Sequence, residues 1–255
     1  MEPRADTNEV VALIVSALQA ERPFLLMRLG DGEDLALRSV GRYSFEDTEN
    51  IPWKKHLGLI PSDKEKTSWC TNTREGAKQA NLLGLHADND VKPSAFRLAG
   101  RRLRESFSAY AKRECSADIH IKLLTGGRYP GLVQAAKSVV LITGHDLVVP
   151  FSEAFGVGKV SRIKIPRQSC YFGDTTSWRL WGSSILPGIR ALPPMNGTLV
   201  LIGGGIPGKA TMALLKSKGA VVLDIGSVFD MWAGWATRGK GKGVGAVNPK
   251  YKLGA

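Results

Sequence analysis

The chain has 255 residues, 43% of them hydrophobic and 23% charged, which is the balance of an ordinary globular protein with a sizeable core. No 20-residue apolar stretch exists to span a membrane, the N-terminus lacks the basic-then-apolar order of a signal peptide, and Cys70, Cys115 and Cys170 lie too far apart for a disulfide framework or a zinc knuckle. Thirty-five Lys and Arg against 23 Asp and Glu give a net charge of +12, which favours polyanionic partners: nucleic acid, an acidic membrane face or phosphorylated substrates.

In chain order, 9–20 reads as a helix with Val10, Leu13, Ile14 and Leu18 on one face and Thr7 or Asn8 as its cap. An apolar strand at 24–29 follows, then the turn Arg28-Leu29-Gly30-Asp31-Gly32-Glu33 and a short helix. Residues 41–72 are turn-rich, with one strand expected at 67–70. Helical patterns return at 74–84 and 94–114, the second carrying Arg97, Arg101, Arg102 and Arg104. Past residue 119 the texture becomes apolar strands alternating with helices. Strands are expected at 119–124, 139–143, 160–165, 198–202 and 220–224, with helices near 130–137, 147–155 and 208–217. Strands that are apolar throughout imply a parallel sheet covered by helices on both faces. The fold class is therefore α/β, a single domain with an irregular or helical insertion over about 41–118. A basic Gly/Lys-rich tail, with Lys240 and Lys242, occupies 236–255.

Ligands in such sheets bind at the carboxyl ends of the strands. That rule singles out 28–33, Gly144 to Asp146, Gly203 to Gly208 and Asp224 to Asp230. Asp31 and Glu33, one residue apart between glycines, admit two readings. One is a site for a hard divalent cation, Mg²⁺ or Mn²⁺, with a phosphate beside Arg28. The other is a solvated turn whose carboxylates cap the next helix. The loop Gly203-Gly204-Gly205-Ile206-Pro207-Gly208-Lys209 admits three functional readings: a dinucleotide fingerprint with Asp224 on the ribose, a phosphate loop, or a cradle for a nucleotide-sugar. The phosphate loop is weakened by Ala210, which stands where a Mg²⁺-binding Ser or Thr belongs. Tight strand-to-helix packing is the structural alternative.

Two segments resemble a known family. Residues 28–33 are similar to the Arg-Phe-Gly-Asp-Gly-Glu signature of GT-D-type glycosyltransferases, with Leu29 in place of the aromatic. The run from Gly219 to Gly234 resembles that family's C-terminal Asp-Ile-Gly segment, here Asp224-Ile225-Gly226, with Asp230 following. The resemblance spans roughly 24–235 and is diffuse in the middle, where 41–118 does not align, so acceptor specificity does not carry over. It implies a Rossmann-like glycosyltransferase domain over 1–235, using a nucleotide-diphosphate sugar such as a UDP-sugar. Under it Asp31 and Glu33 serve the metal and diphosphate, and Arg28, Gly30, Gly32, Gly203, Gly204, Gly205 and Lys209 line the donor site. Asp230 is the first choice of base, Asp224 the second and His145 the third; a hydrogen-bonded structural role for His145 and a solvated Lys209 stand beside these.

The basic charge suggests DNA as acceptor substrate, specifically a hydroxymethylated base, with the arginines of 97–104 as a phosphate track. Trp178, Trp181, Trp232 and Trp235 are then candidates for stacking, against ordinary core packing. A surface glycan or glycoprotein is the alternative acceptor. A NAD(P)-dependent oxidoreductase and a non-catalytic nucleic-acid-binding protein are the rival classes. A cytoplasmic setting is expected, including that of a viral protein acting in a bacterial host.

Overall fold

The structure is a computed structural model that describes residues 4–39, 53, 57, 60–87, 94–107, 113–167, 181–236, 245–246 and 248–253. Its centre is a seven-stranded parallel sheet built from β1 (Phe24–Arg28), β2 (Leu82–Leu85), β3 (Glu114–Ser116), β4 (Ser138–Thr143), β5 (Val160–Lys164), β6 (Thr198–Ile202) and β7 (Val221–Asp224). The strands lie in the order β3-β2-β1-β7-β6-β4-β5. The first strand therefore sits beside the last, with Leu26 opposite Leu223.

Alternation along the strands divides the core into two layers. Leu25, Met27, Val200, Ile202 and Val222 face one side, covered by α2 (Asp31–Ser39), α3 (Asp63–Gln79), α4 (Ser94–Phe107), α8 (Leu186–Ala191) and α9 (Gly205–Ser217). Phe24, Leu26, Leu199, Leu201 and Leu223 face the other. That side is covered by α1 (Thr7–Gln19), α5 (Ile119–Thr125), α6 (Tyr129–Gln134), α7 (Val148–Phe155) and α10 (Val228–Trp232). Crossovers of this kind are right-handed. β4 leads through α7 outward to β5, whereas β6 leads through α9 the opposite way to β7, so the two helices lie on opposite faces. The neighbouring ends of β4 and β6 thus open into a crevice, the position where open α/β sheets take ligands.

Four sequence expectations are corrected. Residues 119–124 are helix α5, because Ile119, His120 and Leu123 bury at helical spacing. The strand expected at 67–70 lies inside α3, which a Ser62/Glu65 capping box starts and whose buried Trp69, Cys70, Thr73, Gly76 and Ala77 follow a helical period. The helix expected at 74–84 ends at Gln79, and 82–85 is strand β2. Helix α1 is capped by Asp6, in a capping box with Glu9, in place of Thr7 or Asn8. The described part of 41–118 contributes β2 and β3 to the sheet. Trp235 and Ala246 pair in a two-stranded ribbon beyond α10.

Candidate active site at the carboxyl edge of the sheet

Arg28 ends β1 and Asp224 ends β7, so strand pairing alone sets them side by side. The Arg28 guanidinium donates from Nε to the Asp224 carbonyl at 2.9 Å and from Nη1 to the Ala117 carbonyl at 3.0 Å, and its Nη2 lies 3.2 Å from Asp224 Oδ1. Nη1 also lies 2.7 Å from His120 Nδ1. Arg28 therefore ties β1 to β7 and to the start of α5 as well as facing the cavity. Gly226 makes room for it. Its φ is +49°, and a Cβ there would lie 2.5 Å from Arg28 Nη2. Gly203 serves a close approach of another kind, since a Cβ would lie 2.7 Å from Phe229 Cδ2 and 3.0 Å from the Gly226 carbonyl.

Glu33 occupies the third position of α2 and reaches back, so that the Gly30 N–H donates to its Oε2 at 2.8 Å. This is the return half of a capping box, and the helix-cap reading of the Asp-x-Glu turn is met by Glu33. Its other oxygen, Oε1, lies 2.8 Å from Nζ of Lys209 on α9. Lys209 Nζ is also 3.1 Å from Asp224 Oδ2, within ion-pair distance yet not aligned as a hydrogen bond, so that buried oxygen keeps an unused acceptor site. Arg28, Lys209, Glu33 and Asp224 form a quartet of two cations and two anions, with Lys209 and Asp224 buried and Arg28 and Glu33 partly buried. Burial pushes the Glu33 carboxyl up, but the charge and hydrogen bond of Lys209, the Gly30 N–H and Arg28 outweigh it and hold the pKa at about 2. Burial likewise lowers the Lys209 ammonium, and Asp224 and Glu33 more than compensate, so its pKa is raised and it stays charged.

Across the crevice, His145 follows β4 and Asp230 lies in α10, with His145 Nε2 2.8 Å from Asp230 Oδ1. The His145 carbonyl accepts from Arg162 Nη1 at 2.8 Å, and its N–H donates to Thr143 Oγ1 at 3.2 Å, which fixes the backbone at the strand end. Helix α9 begins at Gly205, three residues earlier than the expected helix, and has no side-chain cap. Its first turn lines the cavity with Gly205, Ile206 and Pro207, of which Gly205 and Ile206 carry the N–H groups that an anion-binding helix start uses.

One cavity brings together Arg28, Gly32, Glu33, His145, Gly203, Gly204, Gly205, Lys209, Asp224 and Asp230, residues drawn from opposite ends of the chain. Gly30 lies behind them, donating to Glu33. Asp31 is the first residue of α2, and its side chain lies outside the described residues. The cavity also takes in Trp53, Leu57, Ile206 and Phe229, together with Thr143 and Arg167; of these Trp53, Leu57, Thr143 and Arg167 lie outside the segments singled out from the sequence. Thr143 ends β4 and Arg167 lies just past β5, so the strand-end rule carried far enough reaches both.

Of the Asp-x-Glu turn only Glu33 has a described side chain, and the Lys209 ammonium already stands where a cation would meet it. Both Glu33 oxygens are already engaged, one by a lysine and one by a backbone N–H. Among the described residues no group of three or more His, Cys, Asp or Glu side chains could hold a metal ion.

The basic track on α4 is partly internal. Arg104 pairs with Glu114 at 3.1 Å and donates to the His86 carbonyl at 3.1 Å, and Arg102 lies 3.6 Å from Asp34. Arg97 and Arg101 share the same helix. Trp181 and Trp232 are fully buried core residues, which corrects the stacking expectation for both. Trp232 packs edge-on against Tyr129, Phe151, Phe155 and Phe229. Trp235 is exposed, and Trp178, Lys240 and Lys242 lie outside the described residues. No helix among the described residues is long and apolar enough to cross a membrane.

A doubly covered parallel sheet with a charged, glycine-lined crevice at its carboxyl edge defines a Rossmann-like α/β protein. No family model and no curated protein matches the chain by sequence. Solved structures do match by fold. One described as "A New Glycosyltransferase (DUF1792) from Streptococcus sanguinis" is similar over 89% of this chain and 81% of that one, with a TM-score of 0.53 and 15% identity. Another, described by the statement that domain of unknown function 1792 "has a distinct glycosyltransferase fold", is similar over 85% and 76%, with a TM-score of 0.50 and 14% identity. A selenomethionine-substituted structure of the same domain gives 0.51 at 13% identity. The chain has this fold.

Proposed function

We propose that this protein is a glycosyltransferase that moves a sugar from a nucleotide-diphosphate donor to a hydroxyl acceptor. The observation that carries the reading is a single cavity with two cations and an uncapped helix start on one side and the His145–Asp230 pair on the other. Transfer breaks the bond between the sugar carbon and the diphosphate oxygen, and negative charge grows on the leaving group. Cations and backbone N–H groups aimed there favour the transition state over the ground state. The acceptor hydroxyl must lose its proton to a base within hydrogen-bond reach. Asp230 is that base, with His145 Nε2–H donating to it and holding its orientation. The apolar part of the lining, from Trp53, Leu57, Ile206 and Phe229, suits the flat face of a nucleobase.

The dinucleotide reading is weakened at Asp224. Asp224, the residue it would assign to the ribose, is engaged by Arg28 and Lys209. For the acceptor, a hydroxylated DNA base rests on the +12 charge and on Arg97 and Arg101 of α4. Incubation with a panel of nucleotide-sugars, with hydroxymethylated DNA and glycans as acceptors, and mass analysis of the products tests both levels. A sugar mass added to any acceptor supports the transferase, and transfer to DNA that falls steeply between ~50 and ~200 mM salt supports the DNA acceptor. Thermal stabilisation by NAD(P) with none by nucleotide-sugars would refute the transferase reading.

A further inference from the structure

The charge at the centre of the cavity is supplied by the chain itself. Lys209 is 7% exposed, projects from the second turn of α9 behind the glycine loop, and is the one side chain that touches both Glu33 and Asp224 among the described residues. Glu33 accepts from Lys209 on one oxygen and from the Gly30 N–H on the other, which makes this carboxylate of the Asp-x-Glu turn the holder of a lysine. An ammonium has three N–H donors. One bonds Glu33, while the Asp224 Oδ2 contact is not aligned as a hydrogen bond, so Lys209 retains donor capacity at the cavity wall.

We infer that Lys209 is the resident cation of this site, that Glu33 and Asp224 position it, and that it stabilises the departing diphosphate with no divalent metal ion required. The inference rests on the transferase reading above. In the reaction, the bond between the sugar carbon and the diphosphate oxygen breaks with its electron pair going to that oxygen. The acceptor oxygen forms the new bond to the sugar carbon, and its proton goes to Asp230. Lys209 remains an ammonium throughout and contributes charge and a hydrogen bond to the terminal phosphate. A lysine is a compact point charge suited to phosphate, and here its position is fixed before the donor arrives. The quartet is neutral as built, so a bound diphosphate finds the lysine already held in place by Glu33 and Asp224.

The test measures binding of free nucleoside diphosphates (UDP, GDP, CDP, ADP and dTDP) to the full chain by calorimetry. Titrations are run in EDTA, in Mg²⁺ and in Mn²⁺, with the matching nucleosides as controls. The expected result is one diphosphate that binds in EDTA within about threefold of its affinity with Mn²⁺, and a Lys209→Gln variant that loses about tenfold or more with no recovery on adding Mn²⁺. Lys209→Arg, which keeps the charge, is expected to retain most of the affinity, and the nucleoside controls to stay unchanged. Binding that appears only with a divalent ion overturns the inference while leaving the transferase reading intact. A Lys209→Gln variant that binds as the parent does overturns it too. If no diphosphate binds under any condition, both readings fail. Should Lys209→Gln not fold, the comparison of EDTA with Mn²⁺ on the parent chain decides alone.

Discussion

Replacing Lys209 with methionine removes one charge from the quartet while keeping an unbranched apolar stem of similar length. The ammonium it removes lies 2.8 Å from Glu33 Oε1 and 3.1 Å from Asp224 Oδ2. Glu33, moved from an ordinary 4.5 to about 2, is held in its charged form by about 3 kcal/mol. Its side chain is 17% exposed, so solvent screens part of that figure. Without Lys209 the burial of Glu33 is left without its main counter-charge, and Asp224 keeps Arg28 alone. Breaking a buried ion pair from one side costs about 3–5 kcal/mol, and that range is expected here. For a domain of this size the loss is roughly 10 °C in Tm. Urea unfolding followed by tryptophan fluorescence at neutral pH measures it. The double variant Lys209→Met with Glu33→Gln removes both partners and should recover half or more of the single-variant loss, because no carboxylate is then stranded at position 33. A single-variant loss below about 1 kcal/mol, the size of an exposed pair, would refute the reasoning, as would strict additivity in the double variant.

Three further outcomes follow from the same geometry. Because Glu33 is depressed, its contribution to stability is fully present above pH 4.5 and is lost as the pH falls toward 2. Glu33→Gln should therefore flatten the acid limb of urea midpoint against pH over that window, and an unchanged limb would contradict the pairing. Gly226→Ala combines a left-handed backbone penalty of about 1 kcal/mol with a Cβ thrust against Arg28 Nη2, and should cost about 2–4 kcal/mol in all. A Tm within a degree of the parent would show that Arg28 shifts freely. Burial pushes the Cys70 thiol up to about 11 and the Cys115 thiol up to about 12. Iodoacetamide at pH 8 should leave both unmodified in the folded protein by peptide mass mapping, and labelling of either at the unfolded rate would refute this.

The strands that carry the site were legible because they are apolar throughout: Leu25-Leu26-Met27, Val139-Val140-Leu141-Ile142, Leu199-Val200-Leu201-Ile202 and Val221-Val222-Leu223 are buried on both faces of the sheet. The edge strands were not. β2 is four residues with a glycine in it, and β3 is three residues around one buried cysteine, too short for any period to show. Residues 119–125 misled for the opposite reason. A run of Ile and Leu with one His and one Lys fits a buried strand as well as a helix, and packing against α1 and α10 decides between them. Within the site, strand ends and glycines drew attention to Arg28, Glu33, Lys209, Asp224, His145 and Asp230. Their pairing was hidden, because the Lys209–Glu33 and His145–Asp230 contacts join elements whose adjacency depends on the whole strand order. The aromatic Trp232 shows the limit of residue type as a guide. Its indole packs between Tyr129 and Phe229 and is almost wholly buried.

The seating of β1 beside β7 also governs the life of the chain during synthesis. A strand that leaves the ribosome among the first elements must wait for one of the last before its inner edge is hydrogen-bonded. Until then Phe24 to Arg28 is an open apolar edge, the kind of surface that chaperones hold and that aggregates if they do not. Pairings so distant along the chain slow folding. Arg28 cannot grip Asp224, nor Lys209 settle between its carboxylates, until β7 has emerged. The candidate site is thus a late event of biosynthesis, and a nascent chain halted before residue 224 lacks both Asp224 and Asp230.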